Sequence, residues 1–146
     1  MPIAMTPEEI TAAVIKMNED AWYKRDLDAA YAIYAEDVIF QRFPFPPVIG
    51  KVANMQADAG MLAAFSDTRS TIEALLVEGN TAVLRWIWEG AHSGTSPSLD
   101  IPPTGKAVKF EGCSVYHFKD GKIVQQWEYG DVLGLLQQLG VVPALG

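Results

Sequence analysis

The chain has very little of the chemistry that marks metal, redox and nucleotide enzymes. Its 146 residues include a single cysteine, Cys113, and only two histidines. One cysteine allows no intrachain disulfide and no cysteine-based zinc site. The sequence also lacks a Gly-rich phosphate loop, a His-Glu-x-x-His zinc helix and a Gly-x-Ser-x-Gly nucleophile elbow. We therefore expect no metal and no cofactor, and we interpret Cys113 as a buried structural thiol.

Positive charge and long apolar runs are scarce as well. Eleven Lys and Arg face 18 Asp and Glu, for a net charge of -7. Nucleic-acid binding needs clustered basic residues, and those of this chain are scattered. No apolar run approaches the roughly 20 residues that span a bilayer, and the first residues have no signal-peptide pattern. We expect a cytoplasmic protein with neither a nucleic-acid nor a membrane partner.

Aromatic and aliphatic residues are plentiful. Hydrophobic residues make up 49% of the chain, with four Trp, five Tyr and six Phe. A chain of this length without a linker forms one domain that buries roughly two-thirds of its unfolded surface. We therefore predict a single domain over residues 1–146, with enough aromatic side chains for a core and for a lined ligand pocket.

The first half of the chain has helical patterns. Thr6, Pro7 and Glu9 form a capping-box sequence, and the three-to-four spacing of apolar residues extends that helix to about residue 24. Asp26 is the expected N-cap of a second helix, which covers about 27–34, and the same spacing predicts a third over 52–65. The helices come before most of the strands.

The second half changes to a strand period and ends in a short helix over 132–139. A loop rich in Ser, Pro and Gly covers 94–106. Strands are predicted at 38–42, 71–77, 81–89, 107–118 and 122–129. The order indicates an α+β protein in which helices pack on one face of a curved antiparallel sheet and enclose a cavity.

The turn of the last hairpin decides which side chains share a face. A type I turn with Gly121 as a bulge residue pairs His117 with Ile123 and places His117 on the same face as Asp131. A two-residue turn at Asp120 and Gly121 places them on opposite faces.

Several short motifs together resemble one family. They are His92-Ser93-Gly94, Ile101 to Lys106, Asp120 to Ile123, Trp127, Asp131 and Gln138-Leu139-Gly140. In this order and spacing the chain resembles the SnoaL-like polyketide (ester) cyclases of the NTF2-like superfamily. The resemblance implies a cone-shaped α+β barrel with an internal cavity, which is often a homodimer.

The resemblance also implies two catalytic residues. Asp131 matches the aspartate that acts as acid and base in an intramolecular aldol closure, and His117 matches a histidine fourteen residues earlier. One carboxylate can remove a proton alpha to a carbonyl and later return it, so no cofactor is required. Burial against Trp127 and Tyr129 would raise the pKa of Asp131, and His117 could donate to the enolate oxygen.

Structural roles compete with these catalytic ones. Asp131 is also a good N-cap for the final helix, and His117 on an apolar strand is also typical of a core histidine. Arg42 and Arg85 are expected at the surface or in ion pairs. The side chains expected to bind substrate are Tyr34, Phe40, Trp86, Trp88, His92, Gln125, Trp127 and Tyr129.

The resulting hypothesis is a cofactor-independent lyase or isomerase for a small apolar or aromatic carbonyl compound. One alternative is a non-catalytic ligand-binding or dimerisation module of the same fold. Another is a hydrolase or hydratase in which Asp131 activates water. The lyase hypothesis requires that Asp131 faces inward and is desolvated, with His117 or a tyrosine within hydrogen-bond reach.

Overall fold

A computed structural model describes residues 4–97 and 99–145 and has the expected α+β architecture, with helices followed by a curved sheet and a short last helix. Its elements are α1 (Pro7–Trp22), α2 (Leu27–Tyr31), β1 (Tyr34–Arg42), β2 (Val48–Ile49), α3 (Lys51–Ala64), β3 (Phe65–Glu78), β4 (Thr81–His92), β5 (Ala107–Lys119), β6 (Lys122–Gly130) and α4 (Val132–Gln138). The short strand β2 was not predicted from the sequence.

The helices begin where their caps predict. The Thr6 hydroxyl accepts from the Glu9 amide and the Glu9 carboxylate accepts from the Thr6 amide, both at 3.1 Å, which confirms the capping box. The side chain of Asp26 caps α2, but that helix ends three residues earlier than predicted because Tyr34 pairs with Ile123 of β6. Within the described ranges no helix combines the length and the apolar character needed to cross a membrane.

The six strands form one sheet in the order β2-β1-β6-β5-β4-β3. All neighbouring pairs are antiparallel except β1 and β6, which run parallel. The sheet is thus the expected curved antiparallel sheet with one parallel pair. The two strands are far apart in sequence, and local patterns do not encode the direction in which distant strands meet.

Side chains of β4, β5 and β6 alternate between a buried face and a partly exposed face. We call the buried one the inner face and its opposite the outer face. Ile10 and Val14 of α1 join the inner face in one hydrophobic core. Inner-face residues are Ala82, Leu84, Trp86 and Trp88 of β4, Ser114, Tyr116 and Phe118 of β5, and Gln126 and Glu128 of β6.

The last hairpin has the two-residue turn. Lys119 pairs with Lys122, and both Asp120 and Gly121 have positive φ, of 52° and 76°, as a type I′ turn requires. A register shift follows, so that His117 pairs with Gln125 and not with Ile123. The proposed three-residue turn is therefore wrong, but the bulge keeps His117 on the same face as Gln125.

Candidate active site

A cluster of ionisable groups lies where β1, β6 and α3 meet on the inner side of the sheet. Arg42 is at its centre: Nε donates to Oε2 of Glu128 at 2.7 Å, and Nη2 donates to Oδ1 of Asp58 at 3.0 Å. The Asp58 side chain is 8% exposed, whereas those of Arg42 and Glu128 are 26% and 21% exposed. We call these three residues the carboxylate–arginine cluster, and it is open to solvent on the side of Arg42 and Glu128.

Three elements position this cluster. The parallel register of β1 and β6 sets Arg42 beside Glu128, and its guanidinium lies 4.6 Å above the ring of Phe40. Asp58 comes from the inward side of α3, one turn after Asn54, whose amide donates to the Val48 and Gly50 carbonyls. These contacts hold Arg42 between the two carboxylates.

The cluster carries two acidic groups and one basic group. Burial raises the pKa of Glu128 above its ordinary value; Arg42 opposes this shift and the charge of Asp58 adds to it. For Arg42, burial opposes the charged form, but the two carboxylates outweigh it and raise the pKa above its usual range. Arg42 therefore stays charged, and burial favours the protonated form of Glu128 more than water does.

One oxygen of Glu128 is free for a ligand. Oε2 accepts from Arg42, whereas no residue within 4–97 and 99–145 donates a hydrogen bond to Oε1. Among the described residues, the only fully buried side-chain nitrogen or oxygen without a hydrogen-bond partner is Nε2 of His92. Oε1 of Glu128 has no partner, so it is not fully buried. Oε1 is thus accessible to a water-sized molecule.

Three buried tyrosines surround the cluster. The Tyr31 hydroxyl donates to Oδ2 of Asp58 at 2.5 Å, and that of Tyr34 donates to Oε1 of Gln126 at 2.6 Å. Their rings stack 4.4 Å apart. Burial raises the pKa of both phenols and of Tyr116, so all three stay protonated near neutral pH. A carboxylate with a raised pKa beside neutral hydrogen-bond donors has the composition of an acid/base site.

The sequence-predicted catalytic pair lies elsewhere. Asp131 is exposed and caps α4, where its Oδ1 accepts from the Gly134 amide at 2.9 Å. His117 is exposed on the outer face and pairs with Gln125. Gln125 precedes Asp131 by six residues in the chain. Six strand residues span about 20 Å, so the two side chains do not meet. Neither the inward orientation nor the hydrogen-bond partner required for Asp131 is present.

The predicted substrate-binding residues divide between the two sides of the sheet. The inner side holds four of them, which are buried, and His92 is buried at the end of β4. The outer face holds three, which are partly or largely exposed. The inner four are Tyr34, Phe40, Trp86 and Trp88, and the outer three are Gln125, Trp127 and Tyr129.

His92 fastens the long loop after β4. Its Nδ1 accepts from the Thr104 amide at 3.1 Å and lies 2.9 Å from the Thr104 hydroxyl. Its backbone carbonyl accepts from the Gly105 amide and its amide donates to the Lys106 carbonyl, both at 2.8 Å. His92 therefore has a structural contact set and is not part of the carboxylate–arginine cluster.

Sequence reasoning did not assign Asp58, Tyr116 or Glu128 to the site. Two available signals pointed to them. Side chains alternate along a strand, so Glu128 and Tyr116 lie on the face of the last hairpin opposite to Trp127 and His117. A prediction that took that face as the ligand-binding one would have included both residues. Asp58 follows Asn54 by four residues, so the third helix has two polar residues on one face, both of which are buried. Arg42 was expected at the surface or in an ion pair, and it takes part in two ion pairs.

The cavity implied by the resemblance is not among the pockets described. One pocket of about 420 Å³ lies between α2 and α3 beside Arg25 and Leu62, and another of about 150 Å³ lies beside Asn80 and Gly121. Neither includes the carboxylate–arginine cluster. Within the residues that the structure covers, no three His, Cys, Asp or Glu side chains are grouped as a metal site.

Comparison with known proteins points to one family. The chain is similar to AclR, a candidate hydroxylase from Streptomyces galilaeus, at 24% identity over 97% of this chain and 87% of that one, with a TM-score of 0.84. It is also similar to a candidate SnoaL-like polyketide cyclase from Jannaschia sp. CCS1, at 19% identity over 98% of this chain and 97% of that one, with a TM-score of 0.83. A third similar structure is an LEH-like epoxide hydrolase from M. tuberculosis, at 18% identity over 89% of this chain and 88% of that one, with a TM-score of 0.67. Identities this low show a shared fold. The model of the SnoaL-like polyketide cyclase family matches residues 12–139, and the chain therefore belongs to that family.

Proposed function

We propose that this chain is an acid/base enzyme of the lyase or isomerase type that acts, without a cofactor, on a small apolar or aromatic carbonyl compound at the carboxylate–arginine cluster. The observation that carries the proposal is Glu128, an inner-face carboxylate with a raised pKa and a free Oε1. Family membership supports the aldol-type chemistry of a polyketide cyclase. The surrounding aromatic side chains favour a flat ligand.

The proposed reaction begins at the free oxygen of Glu128. Oε1 removes the proton alpha to a carbonyl; the C–H electron pair forms the enolate double bond, and the carbonyl π pair moves to oxygen. A protonated tyrosine hydroxyl donates a hydrogen bond to that oxygen. The enolate carbon then attacks a second carbonyl of the same molecule, and the Glu128 proton passes to the new alkoxide, which restores the carboxylate.

Hydrogen exchange in D₂O tests this proposal. The probe is 1-tetralone, whose α-hydrogens exchange slowly without catalysis, and mass spectrometry measures deuterium uptake. We expect catalysis by the wild-type chain and a loss of about 10²- to 10⁴-fold in Glu128→Gln, the range for removing a general base. Glu111→Gln is the matched control, because Glu111 is exposed and pairs with Arg85 at 3.5 Å; its rate should be unchanged.

Asp131→Asn separates the two candidate carboxylates. Asn is as good an N-cap as Asp, so this variant removes the charge of Asp131 and keeps α4 capped. An exchange rate that falls in Asp131→Asn and persists in Glu128→Gln would return the acid/base role to Asp131. Absence of exchange catalysis in the wild type would favour the non-catalytic binding module.

A second candidate function is a hydrolase or hydratase. Its specific support is that two carboxylates share Arg42, so one can activate water while the other delivers a proton. One structural neighbour is named as an epoxide hydrolase. The test is hydrolysis of styrene oxide in ¹⁸O-water, which places ¹⁸O in the diol product. If the wild-type chain forms the labelled diol and both Asp58→Asn and Glu128→Gln fail to form it, the hydrolase is favoured over the lyase.

We also propose that the chain works in the cytoplasm as a homodimer. The single cysteine, Cys113, is free in the structure and fits a reducing compartment. Partly exposed apolar side chains on the outer face, including Val83 and Val115, fit contact with a second copy.

A further inference from the structure

The guanidinium of Arg42 has donors that its two ion pairs leave free. An arginine side chain carries five N–H donors in a rigid planar fork. Nε donates to Glu128 and Nη2 donates to Asp58. Within the described part of the chain, no side chain and no backbone carbonyl accepts a hydrogen bond from Nη1. The N–H groups of Nη1 are therefore without a protein partner.

The nitrogen Nη1 is accessible from solvent. The Arg42 side chain is 26% exposed. Among residues 4–97 and 99–145, the fully buried side-chain atoms that lack a hydrogen-bond partner do not include Nη1. The ring centroid of Phe40 lies 4.6 Å from Cζ, so this ring covers one side of the guanidinium. A ligand therefore reaches the free donors through the opening that exposes Arg42 and Glu128.

Two carboxylates hold the guanidinium in one orientation. Any rotation of the planar group would break at least one of the charge-assisted hydrogen bonds to Asp58 and Glu128, which are 3.0 Å and 2.7 Å long. The direction of Nη1 is therefore fixed before a ligand binds. A donor that is already in place needs no reorganisation when negative charge develops on a ligand oxygen.

The free oxygen of Glu128 lies within the reach of one carbonyl group from Nη1. Nε and Nη1 share Cζ, and the two carboxylate oxygens share Cδ, so the atoms of each pair are about 2.3 Å apart. Because Nε and Oε2 are 2.7 Å apart, Nη1 and Oε1 are separated by at most about 7 Å. The path from Nη1 through a carbonyl oxygen and its α-carbon to Oε1 covers up to about 8 Å. One substrate molecule can therefore contact both atoms.

We infer that Arg42 is a second catalytic residue, whose Nη1 donates a hydrogen bond to the carbonyl oxygen of the substrate and stabilises the enolate that forms there. This inference rests on the proposed function of Glu128. Proton transfer breaks the α C–H bond and forms an O–H bond on Glu128, while the carbonyl π pair moves to oxygen. Negative charge thus passes from Glu128 to the enolate oxygen, so Arg42 has two anionic partners before and after the step. Return of the proton to carbon reverses these changes.

Arg42→Lys tests the inference in the same 1-tetralone exchange assay. The lysine ammonium keeps a positive charge between the two carboxylates but ends one bond short of Nη1, so the variant removes the donor and retains the charge. Loss of one donor to a developing oxyanion should lower kcat by about 10²- to 10³-fold. Arg85→Lys is the matched control, because Arg85 is about half exposed in its pair with Glu111, and its rate should equal that of the wild type.

The pH profile of kcat separates a direct role of Arg42 from an effect on Glu128. Arg42 opposes the raised pKa of Glu128, so a weaker ion pair would make Glu128 a stronger base and raise the plateau of kcat at high pH. Loss of the donor to the enolate should instead lower that plateau. A folded Arg42→Lys with a plateau within about threefold of the wild type or above it, with Glu128→Gln inactive, would overturn this inference and leave the proposed function standing.

Loss of folding in Arg42→Lys would be circumvented by ligand binding to Glu128→Gln. The probe is 4-nitrophenol, whose phenolate oxygen stands for the enolate oxygen. Glu128→Gln keeps Arg42 and removes the neighbouring negative charge, so absorbance titrations should show the phenolate bound at least about tenfold more tightly than the neutral phenol. A crystal structure of the complex should place the phenolate oxygen within hydrogen-bond distance of Nη1.

Two further outcomes count against the inference. Equal affinity of Glu128→Gln for phenol and phenolate, or a phenolate bound away from Arg42, would contradict it. Full activity of Glu128→Gln in the exchange assay, or no exchange by the wild type, would overturn the proposed function and this inference together.

Discussion

At the scale of single residues, the ion pairs of this protein differ more in their surroundings than in their chemistry. Arg42 is held by two carboxylates on the inner side of the sheet, whereas Arg85 meets Glu111 at 3.5 Å where both side chains are about half exposed. Water screens the exposed pair and stabilises its members when they separate. The Asp58 carboxylate, whose side chain is 8% exposed, has little such compensation when it loses its arginine.

Arg42→Met should therefore destabilise the protein strongly. The substitution leaves Asp58 and Glu128 without their cation, and breaking a buried pair in this way costs about 3 kcal/mol. Urea denaturation near neutral pH measures the change in the free energy of unfolding. Arg85→Met is the control, with an expected change within about 0.5 kcal/mol. Equal losses in the two variants would contradict the account of the cluster.

The raised pKa of Glu128 also predicts a pH dependence of stability. In the folded chain Glu128 binds its proton at a higher pH than in the unfolded chain, where its pKa is near 4.5. Its contribution is therefore fully present below that value and is lost as the pH rises through the folded pKa. Unfolding free energies measured from about pH 4 to about pH 8 should decline less steeply in Glu128→Gln than in the wild type.

The comparison with Glu111→Gln isolates the effect of burial in that series. Glu111 is exposed, and Glu111→Gln is the control for the substitution itself. An identical slope for wild type and Glu128→Gln would show that the pKa of Glu128 is not raised. It would also remove the main support for Glu128 as a general base.

At the scale of elements, α4 depends on its first residue. Asp131 is the N-cap of this seven-residue helix, and its side chain accepts from the Gly134 amide. The Gln138 side chain then ties the other end to β5, where it bonds both the amide and the carbonyl of Lys109 at 2.8 Å. The helix thus has a capping bond at one end and a side-chain bridge to the sheet at the other.

Loss of the cap should destabilise the protein modestly. Asp131→Ala leaves the Gly134 amide without its acceptor and should cost about 1 kcal/mol, whereas Asp131→Asn should be nearly neutral because the amide oxygen takes over the same bond. Thermal or urea unfolding of the two variants gives the comparison. If Asn were as costly as Ala, the carboxylate charge rather than the capping bond would be the important feature.

At the scale of the whole molecule, the two faces of the sheet have different surroundings. The inner face packs in one core with helix residues such as Val14. The outer face carries the partly exposed Val83, Val115 and Trp127 together with the largely exposed Tyr129. Apolar side chains in one patch on a sheet favour contact with another protein surface, and a second copy supplies a matching apolar face.

The homodimer proposal gives a direct prediction. Sedimentation equilibrium should show a dimer for the wild-type chain, and Val115→Asp should shift it toward the monomer because an unpaired charge is costly to bury in an interface. Lys119→Asp, at the exposed end of the last hairpin, is the control for adding the same side chain and should remain dimeric. A monomer at all concentrations of the wild type would contradict the proposal.

Local patterns determined much of this protein. Local sequence neighbours set the Thr6 capping box, the Asp26 cap, the turn at Asp120 and Gly121, and the period of each strand. The helices and strands follow these patterns, although β1 begins four residues and β3 six residues earlier than predicted. The resemblance of short motifs also identified the family. These features were predictable because their energetics are local.

Tertiary structure decided the parallel pairing of β1 with β6 and the composition of the site. A register shift after His117 fixes which residues of β5 and β6 pair, and the helices bury the face that carries Glu128 and Tyr116. Both faces of the last hairpin have polar residues in the sequence, and only the packing of distant elements distinguishes them. Asp131 is prominent in sequence motifs and caps a helix, whereas Glu128 meets Arg42 because two distant strands lie side by side.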